Sequence, residues 1–333
     1  MKTCKFKQMQ IERVLSGVQP SGVPHIGNYF GAMKRHIEMQ DKYEDLFFFI
    51  ADLHALTTQK DAKLIKEYTL ELATTYLALG LDPNKCVFWK QSDVAYHPYL
   101  SWIFSCLTPI PWLERCHAFK DAKTTGKKEV NAGLFTYPCL QASDILLYKG
   151  TLVPVGKDQK QHVELTRDLA IRFNDIYGKV FPEVTPLIED ELAVIPGTDG
   201  EKMSKSYGNT ITMFAPENEI KNKVMGIVTD SKGVEEKKDP TKCNVFKLYK
   251  LFGNEKEIAN LAKRYKAGGL GYGDVKKMLL EKILTHFAPF RDKYNELKAN
   301  PVKVECILKE GASKAEKVAL KTINEVKEKI GLR

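Results

Sequence analysis

Two lysines set three residues apart carry the clearest chemical signal in this chain. The segment Lys202-Met203-Ser204-Lys205-Ser206 places two ammonium groups among small hydroxyl residues, with Gly200 and Gly208 nearby. Such a loop suits a mobile grip on phosphates, because fixed ammonium groups stabilise negative charge that develops on a leaving phosphate. Far upstream stands a second segment, Gln19-Pro20-Ser21-Gly22-Val-Pro-His25-Ile-Gly27-Asn28. It reads as a strand end, a turn and a helix start in one short stretch. Gly27 has no Cβ, so the backbone there can approach a flat nucleotide closely. The amides that open the next helix favour an anion beside them. Each segment alone also has an ordinary explanation, a solvated lysine loop or a glycine-rich turn. Packing asks for neither in company with the other.

A third group is Tyr137-Pro138-Cys-Leu-Gln141-Ala-Ser-Asp144-Ile-Leu-Leu-Tyr148. Proline near its start predicts the N-terminus of a helix there. Spacings of four and three put Tyr137, Gln141 and Asp144 on one stripe. Asp144 precedes Ile-Leu-Leu, so its carboxylate is expected in a largely apolar setting. A buried charge needs a partner, which the N–H or O–H of an aromatic substrate would supply; a partner within the fold would serve equally well. Two further glycine patterns fail as nucleotide motifs. Gly150-x5-Gly156-Lys157-Asp158 has one spacer too many for a phosphate-binding P-loop, and Asp stands where Ser or Thr would reach magnesium. Gly269-x-Gly271-x-Gly273 lacks a preceding strand and reads as a flexible turn.

The elements that must position these residues alternate. Val14-Leu15 reads as a short buried strand running into a Ser16-Gly17 turn, and Gly31 to Gln40 as a helix. Asp45 to Asp52 is a continuous apolar run between charges, the pattern of a parallel strand covered on both faces. Asp61 to Leu79 has helical periodicity and ends at Gly80. Cys86 to Trp89 is another strand. Strand–helix alternation predicts an α/β fold with a doubly wound parallel sheet, whose ligands sit beyond the carboxyl ends of strands. His54 falls at such an end, beside Thr57 and Thr58, and reads as a pocket wall or as a loop anchor. After Pro216 strand signals are sparse and lysine-rich helical periodicity takes over. Val234 to Pro240 and Gly268 to Gly273 read as loops.

Bulk properties fit a soluble intracellular chain. Its 333 residues suggest about two domains, and 43% apolar with 28% charged residues is ordinary for a globular protein. No apolar run approaches the length of a membrane span or of a secretory leader. The 7 scattered cysteines read as reduced thiols in a cytoplasmic protein. Charge is distributed unevenly: residues 1–215 hold 25 Lys and Arg against 25 Asp and Glu, and residues 216–333 hold 26 against 17. The rear therefore carries the whole +9 excess, which suits either a polyanionic partner or a lysine-rich helical surface.

The two phosphate segments resemble the paired ATP signatures of class I aminoacyl-tRNA synthetases, His-Ile-Gly-His and Lys-Met-Ser-Lys-Ser. More closely, the chain resembles bacterial-type tryptophanyl-tRNA synthetases. The likeness rests on Gly17-Val-Gln-Pro-Ser-Gly22, Ile26-Gly-Asn-Tyr29, Asp52-Leu-His-Ala-Leu-Thr57, Asp144-Ile-Leu-Leu-Tyr148, Val155-Gly-Lys-Asp-Gln-Lys-Gln-His162, Glu164 to Leu169 and Pro196 to Gly200. Asn28, where a tyrosyl enzyme usually has histidine, points to the tryptophan branch. The resemblance implies a Rossmann-like catalytic domain over 1–215 and a mainly α-helical domain over 216–333 that binds tRNA. It implies that Asp144 accepts the indole N–H, with Tyr137, Gln141, His54 and Gly17 around the amino acid. Gln19 and Gln159 hold its polar end. Gln19, Pro20, Ser21, Gly27, Asn28, Gly156, Lys157, Asp158, Ile195 and Lys202 to Ser206 contact ATP, and Asp158 lies near the ribose. Gln141 departs from the methionine many members carry. Cys243 lacks the companions of the four-cysteine iron–sulfur motif found in some members, so no cluster is expected. Magnesium is expected to arrive with ATP, and the family implies a homodimer without membrane attachment.

The expected activity is a tryptophan–tRNA ligase: L-tryptophan attacks the α-phosphorus of Mg–ATP, and tRNA(Trp) then takes the acyl group. Lys202, Lys205 and Gln19 are the catalytic candidates. A tyrosyl enzyme is the nearest rival, followed by a nucleotidyltransferase acting on a cofactor precursor and by a synthetase-like binding protein. The nucleotidyltransferase would need neither the Asp144 stripe nor a basic rear.

Overall fold

Phenylalanines of a single strand face both ways and divide the core in two. In β2, Asp45–Ile50, the side chains of Phe47 and Phe49 join one apolar cluster, and Leu46, Phe48 and Ile50 join another. That is the outcome expected of a continuous apolar run in a parallel sheet. The structure, a computed structural model, describes residues 12–116, 119–120, 130–156, 159–188 and 194–333. Its five parallel strands are β1 (Arg13–Val18), β2, β3 (Val87–Lys90), β4 (Leu152–Val155) and β5 (Thr185–Ile188). They lie in the order β3-β2-β1-β4-β5. From β1 the chain winds outward to β2 and β3, then returns to β4 on the other side. The crevice between β1 and β4 is thus the switch point where ligands bind in such sheets.

Three boundaries differ from those expected. β1 continues through Ser16 and Gly17 to Val18, pairing Gly17 with Phe49 of β2. Gly17 is needed there for space: a Cβ would lie 2.3 Å from the Phe49 ring. The Pro138 helix begins earlier, at Ala132, and runs to Leu146 with the proline inside it. Asn131 sets that start, since its Oδ1 accepts from Leu134 N at 2.9 Å. The glycine cluster near 270 is a loop only to Gly271, which caps the helix Tyr272–Ala299. By contrast, the helix expected over Asp61 to Leu79 is found as Ala62–Ala78, with Asp61 capping it by accepting from Lys63 N and Leu64 N.

The rear is helical: Glu217–Met225, Asn244–Tyr249, Glu255–Ala267, Tyr272–Ala299 and Pro301–Lys329. It packs onto the sheet layers directly. Tyr294 donates to Glu71 Oε1 at 2.6 Å, and Arg291 donates to the carbonyls of Ala215 and Met213. The helix Pro301–Lys329 lies so close to β3 that a Cβ on Gly311 would come within 1.8 Å of the Phe88 carbonyl oxygen. Beyond that glycine, Ala312, Ala315, Ala319, Ile323 and Val326 join the cluster of Phe47 and Phe49.

Candidate active site

β1 delivers Gln19 just past its carboxyl end, and β4 delivers Gly156 past its own. A turn follows Gln19, with Ser21 N donating to the Gln19 carbonyl at 3.0 Å. Gly22 has a φ of +128°, a backbone state that side chains rarely tolerate. His25 then caps a run of helical turns, Ile26–Asn28, a π-helical Tyr29–Met33 and Lys34–Met39. His25 N donates to Asn28 Oδ1 at 3.1 Å, so Asn28 closes its own helix start.

The lysine loop lies on this turn. Met203 N donates to the Ile195 carbonyl at 2.9 Å, Pro196 bridges Lys202, and His25 bridges Thr212. Met203 is buried, and its Cβ would be 3.3 Å from a Cβ on Gly27. Lys205 reaches Ser21 Oγ at 3.4 Å, and a Cβ on Gly22 would lie 2.9 Å from its Cδ. Ser21, Gly22, Gly27, Ile195, Met203 and Lys205 therefore meet in one place. Lys202 is exposed, and among the described residues its ammonium has no partner. Burial lowers the Lys205 pKa to about 8. Burial, followed by the nearby Lys205 charge, lowers that of His25 to about 4, so this imidazole is neutral at physiological pH. A half-buried ammonium without an acidic partner is poised to gain from an arriving phosphate.

Asn209 organises the loop and was not among the sequence candidates. Its side chain accepts from Ser204 N at 2.7 Å and donates to the Lys202 carbonyl and to Asp199 Oδ1. It is 2% exposed. An asparagine shortly after a lysine signature carries no spacing signal of this role.

Asp144 is buried on Ala132–Leu146, and partners from three other segments close on it. Oδ2 takes His54 Nε2 at 2.7 Å, while Oδ1 takes Gln91 Nε2 and His97 Nδ1, each at 2.7 Å. The other His97 nitrogen meets the Tyr148 hydroxyl at 2.8 Å. Burial alone would raise the Asp144 pKa; His54 and then His97 overcome it and hold the group below the usual carboxylate range. The sequence leaves open whether a substrate or the fold pairs this carboxylate; among the described residues the fold supplies three partners. Gln91 and His97 were missed. Gln91 had a signal, because it lies two residues past the strand expected over Cys86 to Trp89. His97 had none, since only tertiary folding brings its helix, Tyr96–Leu107, against Asp144.

The other candidates surround this carboxylate. Tyr137 has its ring centroid 6.1 Å from that of His54 and its hydroxyl 2.6 Å from His162 Nε2. Gln141 is half-buried one turn from Asp144, and Gln159 precedes the helix Lys160–Tyr177. Gln19 Nε2 donates to the His54 carbonyl at 3.3 Å. Lys157 and Asp158 lie outside the described residues. Among the described residues no group of three or more His, Cys, Asp or Glu side chains could hold a metal ion. Cys243 is buried, with its sulfur 3.3 Å from the Tyr265 hydroxyl.

The structure thus joins the lysine loop to a buried carboxylate at the carboxyl ends of a parallel sheet of order β3-β2-β1-β4-β5. The family model for class I tRNA synthetases of the tryptophan and tyrosine group matches residues 8–288. The chain belongs to this family. A tryptophan–tRNA ligase from Fusobacterium nucleatum is 50% identical over 97% of this chain and 98% of its own length. One from Rhodopirellula baltica is 47% identical, over 96% and 100%. The crystal structure of tryptophanyl-tRNA synthetase from Campylobacter jejuni complexed with ADP and tryptophan superposes with a TM-score of 0.90. That match has 47% identity and covers 96% of this chain and 99% of that one. The synthetase assignment is that of a tryptophan–tRNA ligase, an ATP-dependent enzyme on a Rossmann-like sheet with a helical rear. Among its described residues no helix is long and apolar enough to cross a membrane.

Proposed function

We propose that this chain joins L-tryptophan to ATP, forming tryptophanyl-adenylate and pyrophosphate, and then passes the acyl group to tRNA(Trp) with release of AMP. The observation that carries the site assignment is a continuous line of contacts. Lys205 meets Ser21, Gln19 lies two residues away and meets the His54 backbone, and His54 meets Asp144. The lysine loop and Asp144 are thus linked through Ser21, Gln19 and His54, which supports reading them as parts of one site.

In this reading Asp144 accepts the indole N–H. A carboxylate oxygen has two lone pairs. Oδ1 spends both on Gln91 and His97, whereas Oδ2 spends one on His54 and keeps one. Tyr137, Gln141 and Gly17 line the ring, and Gln19 and Gln159 orient the polar end. The remaining ATP contacts are Pro20, Ser21, Gly27, Asn28, Gly156, Lys157, Asp158, Ile195, Met203, Ser204 and Ser206. Magnesium enters with ATP as part of the substrate. The carboxylate of tryptophan attacks the α-phosphorus, the bond to pyrophosphate breaks, and Lys202 and Lys205 meet the developing charge. No side-chain nucleophile is involved; alignment and charge stabilisation supply the rate.

The helical rear, 216–333, supplies the tRNA surface, supported by its lysine excess. The enzyme acts as a cytoplasmic homodimer. Support for the dimer comes from apolar side chains left in water on the helices that follow β3 and β4 in the chain: Trp102 is 72% exposed, Ile110 63%, and Ile171 and Ile176 51% each. Sedimentation should find Trp102→Glu monomeric; a dimer in that variant would remove this face from consideration. The central test is amino-acid-dependent pyrophosphate exchange with each of the twenty amino acids. Tryptophan alone should support exchange, and a preference for tyrosine would overturn the assignment.

A further inference from the structure

The two oxygens of Asp144 are held unequally. Oδ2 meets His54, whose side chain keeps some exposure, whereas Oδ1 meets Gln91 and His97, both fully buried. Each donor to Oδ1 is itself aimed by a further group. Gln91 Oε1 accepts from Leu53 N at 3.1 Å, which turns the amide N–H2 toward Asp144. His97 is aimed from the far side of its ring. An ionised carboxylate only accepts, so the 2.7 Å contact requires a proton on Nδ1. In the neutral ring Nε2 is then an acceptor, and the Tyr148 hydroxyl donates to it at 2.8 Å. Burial, and then the Asp144 charge, raise the Tyr148 pKa well above that of a free phenol, so this donor keeps its proton. Packing makes the relay rigid. The Tyr148 ring lies 4.9 Å from Trp89 and 5.4 Å from Phe47, and Arg13 Nη1 donates to the Tyr148 carbonyl at 2.5 Å. Ser143, the neighbour of Asp144, donates to the His97 carbonyl at 2.7 Å.

We propose that His97, oriented by Tyr148, is a positioning residue that sets the selectivity of the site: it pins Oδ1, so that the free lone pair of Oδ2 meets the N–H of an indole. The inference rests on the reading that Asp144 accepts that N–H, and goes beyond it by naming what aims the carboxylate. The argument is one of rotational freedom. The terminal torsion of an aspartate is broad and two-fold, so a carboxylate turns easily about its last bond. A single donor at Oδ2 would leave that rotation open. Two donors on Oδ1, from a buried and packed side, remove it and leave the Oδ2 lone pair pointing one way. That direction serves a ring with a donor and leaves a polar group unpaired against a ring of equal size without one. Tyr148 matters because, without its hydroxyl, the imidazole is free to carry its proton on Nε2 and turn a lone pair toward Oδ1.

The test compares tryptophan with benzothienylalanine, in which sulfur replaces the indole N–H, by pyrophosphate exchange on the full-length protein. The parent should favour tryptophan in kcat/KM by about a hundredfold or more. His97→Gln carries its amide near the place of Nε2, out of reach of Oδ1. It should cut that ratio about tenfold or more, chiefly through tryptophan. His97→Asn carries an N–H2 near the place of Nδ1 and should hold the ratio within about threefold of the parent. Tyr148→Phe removes one oxygen and keeps the ring packing, so it carries the test even where the glutamine variant does not fold. It should cut the ratio about threefold to tenfold, yet change it no further in the His97→Asn background, whose side chain does not reach that hydroxyl. The KM for ATP should stay within about twofold throughout. A merely structural role slows both substrates alike, so an unmoved ratio in His97→Gln and Tyr148→Phe overturns the positioning role. An equal effect of Tyr148→Phe with and without the asparagine overturns the relay. A parent protein indifferent to the sulfur analogue overturns the indole reading and the inference with it, an outcome visible before any variant is made.

Discussion

His54 Nε2 stands 2.7 Å from Asp144 Oδ2, joining the short helix Asp52–Ala55 after β2 to the last turn of a helix that begins some eighty residues later in the chain. The same histidine receives Gln19 at its backbone carbonyl. One short segment therefore touches both the residue that follows β1 and the carboxylate assigned to the indole. This is how a parallel sheet does its work: strand ends from distant parts of the sequence arrive side by side.

Replacing Asp144 by Asn should reduce kcat/KM for tryptophan by about a hundredfold, or ~2.7 kcal/mol. The amide would present an N–H2 to one of His54, His97 or the indole, leaving a buried group unpaired. The KM for ATP should stay within about twofold, since the phosphate grip is built from other segments. Steady-state exchange assays that vary each substrate separately check this, and an unchanged tryptophan dependence would contradict it.

Lys205 gives the reaction an alkaline limit. Burial brings its pKa to about 8, so the ammonium is charged below that pH and lost above it. In the proposed reaction the charged form is the one that grips phosphate. Accordingly kcat/KM for ATP should fall as pH rises through about 8, since this parameter reports the free enzyme. Lys205→Arg should remove that limb, because a guanidinium stays charged across the range. A pH profile of adenylate formation in both proteins measures it; an identical limb in the arginine variant would assign the titration to another group.

Gly311 separates two opposing effects. Alanine is favoured over glycine within a helix by about 1 kcal/mol. Here, however, the new Cβ would stand 1.8 Å from the Phe88 carbonyl oxygen, in the backbone of a strand that cannot swing aside. Displacing the helix costs about 1–3 kcal/mol or more. The clash should win, and Gly311→Ala should lower Tm by several degrees in calorimetry. A raised Tm would mean the helix glides off β3 without loss.

Much of this architecture is legible in residue order, and the exceptions have physical causes. The apolar run of β2 and the helical periodicity that starts at Asp61 are local signals, and each is found where the sequence puts it. Gly17 misleads because glycine marks turns and close contacts alike; only the Phe49 ring reveals which. Pro138 misleads in the same way, since a helix started by Asn131 carries it in its interior. The surroundings of Asp144 are legible only in part. A charge before an apolar run announces that it needs partners, but Gln91 and His97 come from segments that only folding brings near.

The lysine excess of the rear makes the last prediction a salt experiment. A truncation at residue 216 would be a poor test, because side chains on both sides of that point share one apolar cluster, including Phe48, Tyr76, Phe246 and Phe287. Surface charge offers a cleaner variable. Lys263 and Lys266 are exposed on Glu255–Ala267, and among the described residues neither ammonium has an acidic partner. If they meet tRNA phosphates, Lys263→Glu with Lys266→Glu should raise the KM for tRNA. Each lost contact should also flatten the log–log salt dependence of binding by about one unit. Tryptophan-dependent pyrophosphate exchange, which needs no tRNA, should be unaffected. A tRNA KM and salt slope equal to those of the parent would show that this helix is a solvated face, and that the polyanion is met elsewhere on the rear.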